Sequence, residues 1–117
     1  MQQSRLEVAE RLFAGAQEES EFRTVASTSY MAAFQHVLNH PRCSEFKITK
    51  TGEDHRLLFE YLKLSTDAGM RRLGHNYLTR LRALRNKADY TMDIPFTRGE
   101  AEEALERATE VIYEFLP

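Results

Sequence analysis

The chain has 117 residues, 42% of them hydrophobic and 29% charged, with a formal net charge of −2. That length supports a single domain over residues 1–117 with a sizeable core, and the balance excludes a disordered polypeptide. A charge so near zero excludes attraction of nucleic acid over the whole surface, so any anion site must be a local cluster of arginines.

The apolar spacing is helical nearly throughout, and no segment keeps strand-like alternation for long. Ser4 and Glu7 form a capping-box pattern ahead of a first helix, whose buried face would carry Leu6, Ala9, Leu12, Phe13 and Ala16. Ser20 can cap a second helix, in which Phe22, Val25, Ala26, Ser29, Ala33 and Val37 recur every three or four residues. Small residues at 26, 29, 32 and 33 would let a neighbouring helix come close, and Pro41 ends the run.

An irregular stretch follows over about 39–52, with Phe46 and Ile48 expected to pin it to the bundle. Thr51 and Asp54 announce a third helix with Leu57, Leu58, Tyr61 and Leu62 inward. Asp67 opens a fourth, whose core row is Met70, Leu73, Tyr77, Leu81, Leu84 and Ala88, and Pro95 forbids its extension. Thr97 and Glu100 repeat the capping box before a last helix that buries Ala101, Ala104, Leu105, Ala108, Val111, Ile112 and Phe115. The fold class is therefore all-α, an antiparallel up-and-down bundle of four to five helices.

Projected at about 100° per residue, His75, Leu78, Arg82, Arg85 and Asp89 form a second row on the fourth helix, roughly 120° from its core row. Asn86 and Tyr90 continue round toward the far side. Arginine, asparagine and tyrosine so placed can face water, a partner or an anionic ligand. Arg85 can grip a phosphate bidentately while Asn86 orients it, or Arg85 and Asp89, spaced i,i+4, can form an ordinary surface ion pair.

Arg71, Arg72 and Arg80 make the same helix basic, which the acidic last helix can balance. His36, His40 and Cys43 have a conceivable metal-ligand spacing, but Pro41 breaks the helix there and no fourth ligand lies near, so no metal is expected. No phosphate loop, Rossmann glycine pattern or serine triad occurs, so no cofactor is expected either. A lone cysteine fits a reducing compartment. The N-terminus lacks a signal-peptide pattern, and no run reaches the roughly 18 apolar residues of a membrane span. A cytoplasmic protein without membrane contact is the expectation.

Three segments in order, Ser29-Tyr30-Met31-Ala32-Ala33-Phe34, then His55-Arg56-Leu57-Leu58, then Arg85-Asn86-Lys87-Ala88-Asp89-Tyr90, resemble the HEPN family of small helical bundles, as does Pro95-Phe96-Thr97. The resemblance covers roughly residues 22 to 116. It implies a HEPN-like bundle that dimerises through the helices bearing the arginine motif, with a setting in a prokaryotic toxin–antitoxin or phage-defence operon. RNA-cutting members use an arginine, a neighbouring polar residue and a histidine four to six residues beyond the arginine, without a metal. Arg85 and Asn86 match the first two, whereas Tyr90, Thr91 and Met92 occupy the histidine's positions.

Tyrosine ionises near pH 10 and is a poor base at neutrality. A non-catalytic module is therefore expected, binding RNA, a nucleotide or a protein partner through His75, Arg82, Arg85 and Asp89. The alternatives are a metal-independent RNase centred on Arg85 and Asn86 with Tyr90 or His75 as helper, and a substrate modified at Tyr90 by a partner nucleotidyltransferase.

Overall fold

The structure, a computed structural model, describes residues 2–114, with side chains from residue 5 onward. Five helices carry the described residues: α1 (Gln2–Gly15), α2 (Glu19–Leu38), α3 (Asp54–Lys63), α4 over residues 68–90, and α5 (Arg98–Glu114). No strand occurs among the described residues. Helix α2 is the central rod, because Val25, Ala26, Ser29, Tyr30, Ala32, Ala33, Phe34 and Val37 are buried over much of its circumference. Its small residues let α1, α4 and α5 all pack against it. Arg23, Ser27 and Tyr30 of α2 meet Ile94, Asp89 and Arg85 in descending order, so α2 and α4 run antiparallel. The pairs Arg80–Glu103 and Lys87–Glu100 bind α4 to an antiparallel α5.

Several ends are fixed as the local chemistry requires. Asp67 caps α4 by accepting from the N–H groups of Gly69 and Met70. Thr97 and Glu100 form their reciprocal box at the start of α5, with bonds of 3.0 and 3.1 Å. Helix α2 departs from expectation: it begins at Glu19, not after Ser20. The Glu21 carboxylate accepts from both Gln17 and Glu18 N–H, satisfying two orphan donors ahead of Ser20. Those two bonds also hold the Glu21 carboxyl below its usual range.

Leu6 and Ala9 of α1, and Ala16 just after it, are buried and Phe13 partly so, but Leu12 is exposed rather than inward. Helix α1 lies on the outside of the bundle and buries a narrow stripe that Leu12 flanks. It already runs from Gln2, so Ser4 lies within it; the Ser4 side chain and Phe115 lie outside the described residues. The stretch after α2 contains one 3₁₀ turn, Pro41–Cys43. Phe46 packs edge-on against Tyr61, as the pinning role requires, while Ile48 is exposed and pins nothing.

The largest departure is in α4. It consists of an α turn (Ala68–Arg72), a π turn (Leu73–Tyr77) and a second α segment (Leu78–Tyr90). Leu78 N–H bonds to Leu73 C=O, five residues back, which inserts one residue into the helical register. Leu78 is consequently fully buried, whereas Tyr77, expected in the core row, is only partly covered. The cause is tertiary. A Cβ on Gly74 would lie 2.9 Å from Leu62 Cβ and 3.3 Å from Lys63 N, so the end of α3 presses on the π turn itself. The Thr79 hydroxyl donates to Gly74 C=O at 2.8 Å and occupies a carbonyl that the widened turn displaces.

Candidate anion-binding site

The π turn decides which residues of α4 share a face. One inserted residue turns the preceding segment by about 100° relative to the following one. His75 is thereby taken out of the row expected to run through Arg82, Arg85 and Asp89, and it stands exposed on the surface. Arg82, Arg85 and Asp89 lie beyond the insertion and remain neighbours on one side of α4, half-buried between α2 and α3.

Arg85 Nε lies 2.8 Å from Asp89 Oδ2, so the anticipated ion pair forms. The Nε–H is not aligned for a hydrogen bond, however, and this buried nitrogen has no bonded acceptor. Ser27 Oγ donates to the same Asp89 oxygen at 3.3 Å and holds the carboxylate toward α2. The Arg85 guanidinium sits between two phenol rings, 5.6 Å from the Tyr30 centroid and 5.3 Å from that of Tyr90. Arg82 rests 5.5 Å from the Phe59 ring and makes no ion pair among the described residues. Asn86 lies round the helix from Asp89, in a shallow groove shared with Phe59, Lys63 and Arg82.

Within the field of the two arginines lies an imidazole from outside the Arg85–Tyr90 segment. His55, on the first turn of α3, meets the Tyr30 hydroxyl through Nδ1 at 2.6 Å. Its ring stacks 4.2 Å from Phe34. Asp54 fixes this turn by reaching backward, accepting from Thr49 N–H, Lys50 N–H and Thr49 Oγ1 at 2.7–2.9 Å. Those bonds hold the Asp54 carboxyl below its usual range. Burial, then the charges of Arg85 and Arg82, lower the His55 pKa, with Asp54 opposing, so the ring is neutral at pH 7. Burial likewise raises the Tyr30 phenol well above its usual value, and Tyr30 stays protonated. The Tyr30 hydroxyl can donate to Nδ1 or accept from Nδ1–H; the second arrangement leaves a lone pair on Nε2.

The C-terminal end of the helix is set by a residue that sequence patterning passes over. Arg23 of α2 is buried, and its guanidinium donates to the carbonyls of Lys87, Ala88, Thr91 and Ile94 at 2.6–3.1 Å. Glu19 pairs with Arg23 at 3.1 Å and also accepts from Phe96 N–H. A cation placed on the last carbonyls of a helix complements its dipole. Here it also fixes the turn that displays Tyr90, which is 70% exposed.

Other signals resolve simply. Glu103 takes Arg80 through two hydrogen bonds and Arg107 through one, and Glu100 takes Lys87, so α5 matches these two cations of α4, while Arg71 donates instead to Ser65 C=O. Burial pushes the Cys43 thiol up to about 11, leaving it unreactive at neutral pH. Among the described residues no group of three or more His, Cys, Asp or Glu could hold a metal ion, and no helix is long and apolar enough to cross a membrane.

The arrangement thus combines two arginines and a neutral imidazole on one half-buried face, over the buried, protonated phenol of Tyr30, with Asp89 beside Arg85 as an internal anion. Such a face can hold a phosphate through charge-assisted hydrogen bonds and present a proton acceptor beside it. No protein-family model, curated protein or solved structure matches the chain.

Proposed function

We propose that this face binds the phosphodiester backbone of RNA, in a HEPN-like bundle of a prokaryotic toxin–antitoxin or phage-defence system. The observation that carries the reading is the pairing of Arg82, which has no carboxylate partner among the described residues, with Arg85, whose Nε faces Asp89 while its terminal nitrogens make no hydrogen bond among the described residues. Both are rigid donors backed by aromatic rings, the form of cation best suited to a phosphate. The operon setting rests on the resemblance of the Arg85–Tyr90 and Ser29–Phe34 segments alone. Binding of labelled single-stranded RNA, followed by anisotropy across a salt series, tests the reading. Replacing Arg82 or Arg85 with alanine should weaken binding and reduce the slope of log K against log salt by about 0.7 for each phosphate no longer neutralised. Unchanged affinity and slope in both variants would refute it.

A second reading, metal-independent cleavage, is favoured by one observation: neutral His55 is hydrogen-bonded to Tyr30, whose ring lies against Arg85. In that reaction His55 takes the proton of a 2′-hydroxyl, O2′ bonds to phosphorus, the P–O5′ bond breaks, and the 5′-oxygen takes a proton from water. The arginines stabilise the charge that gathers on the phosphoryl oxygens. RNA incubated in EDTA should then be cut by the protein, and neither by Arg85→Ala nor by His55→Ala. Intact RNA with undiminished binding leaves the site a binding module.

A further inference from the structure

We infer that the groove beside Arg85 takes an unpaired nucleobase stacked on Tyr90, which makes single-stranded RNA the ligand. The inference rests on the phosphate-binding reading of Arg82 and Arg85 and adds a base subsite to it.

Tyr90 is a large ring left 70% exposed, yet it is not loose, because Arg85 Cζ lies 5.3 Å from its centroid. The turn that carries it is held by the Arg23 bonds to Thr91 and Ile94. A fixed, solvent-facing aromatic ring beside a phosphate-binding guanidinium is what base stacking next to a backbone contact requires. Between this ring and α2 runs a groove of 570 Å³ lined by Ser20, Thr24, Ser27, Thr28, Tyr90 and Met92, a size within the usual range for small-ligand sites.

One wall of the groove offers four hydroxyls: those of Ser20 and Thr28 can donate or accept at a base edge or a ribose, and those of Thr24 and Ser27, whose protons go to Ser20 C=O and Asp89, can accept. The other offers a ring and a thioether. Its two charged residues are already committed, Arg23 to helix-end carbonyls and Asp89 to Arg85 and Ser27. The remaining chemistry, hydroxyls facing a π surface with no free charge, fits a nucleoside better than a second phosphate. A duplex keeps its base faces stacked on one another and cannot offer one to Tyr90.

The test uses short single-stranded RNA and the matched duplex, each with a fluorescent end label, and a single-stranded version carrying 2-aminopurine. The proteins are wild type, Tyr90→Phe, Tyr90→Ala and Arg85→Ala. Stacking predicts that Tyr90→Ala weakens single-strand binding by roughly 5- to 150-fold, that Tyr90→Phe stays within about twofold, and that the weaker duplex binding hardly changes. The 2-aminopurine quench on binding should persist in Tyr90→Phe and vanish in Tyr90→Ala.

Single-strand binding that survives Tyr90→Ala but falls in Arg85→Ala would overturn the base subsite and leave the phosphate site standing. Wild type that binds neither RNA would overturn both. Tyr90→Ala that leaves RNA binding intact but lowers the mass by light scattering would assign this face to a second copy of the chain instead.

Discussion

Replacing Arg23 with alanine removes four hydrogen bonds to helix-end carbonyls at once. The bond to Ala88 C=O is buried, and a charge-assisted bond there contributes about 1.5–3 kcal/mol. The bonds to Lys87, Thr91 and Ile94 are partly buried, and water can replace each at a net loss of about 0.5 kcal/mol. The ion pair to Glu19, whose side chain is 47% exposed, adds little, about 0–1 kcal/mol. The sum is a loss of about 3–5.5 kcal/mol, a large share of the roughly 5–15 kcal/mol that holds such a domain folded.

Urea denaturation at pH 7 checks this directly. With a slope of about 2 kcal/mol/M, the midpoint of Arg23→Ala should fall by about 2 M at unchanged slope. Glu19→Gln should cost less than about 1 kcal/mol, and Arg23→Lys should fall between the two because an ammonium cannot span carbonyls from four residues. A loss below about 1 kcal/mol in Arg23→Ala would refute the claim that this side chain caps the helix.

The π turn predicts an order of core truncations. Leu78→Ala should cost about 2–5 kcal/mol and Tyr77→Ala clearly less, as measured by urea midpoints; the reverse order would restore an uninterrupted α register. His55 predicts a pH effect of definite sign. Its folded-state pKa lies below 6.5, so the unfolded chain takes up a proton where the folded one does not. Its contribution is complete above pH 6.5 and declines as pH falls from there toward the lowered value. Urea midpoints taken across this window should slope less in His55→Gln than in wild type, and equal slopes would show that the ring is not held neutral.

What is legible in the sequence has causes lying within one turn of the chain. The caps at Asp67 and at Thr97 with Glu100 involve residues two or three apart, and periodicity places Leu81, Leu84, Ala88, Ala101, Ala104 and Ala108 inward as found. The rest is set from outside the segment concerned. Arg23 reads as one more charge on an amphipathic helix, since its acceptors are carbonyls 64 to 71 residues away and every residue has a carbonyl. The π turn arises where Leu62 and Lys63 press on Gly74, and the periodicity of α4 alone holds no trace of α3.

For the site, the residues clustered at Arg82, Arg85 and Asp89 are readable because they lie past the insertion. An unbroken 3.6-residue period puts His75 beside them, and the inserted residue takes it away. His55 is within reach of sequence reasoning: it and Tyr30 both belong to the segments on which the HEPN resemblance rests, and a histidine and a phenol on separate helices invite a contact. The imidazole arrives from a different helix, so no position downstream of Arg85 could have revealed it.

A π turn in the middle of a helix also determines which changes a lineage can accept there. Residues 68–72 are phased against α3 and residues 78–90 against α2 and α5, with one surplus residue absorbing the difference. Outward positions such as His75 and Asn76 are exposed and free to vary in identity. Deleting any one residue of the turn, even an exposed one, would swing Arg82 and Arg85 about 100° around the helix relative to the segment before them. At this point in the chain length is constrained as tightly as the buried positions, so descendants should tolerate substitutions at His75 and Asn76 but neither a side chain at Gly74 nor a single-residue gap.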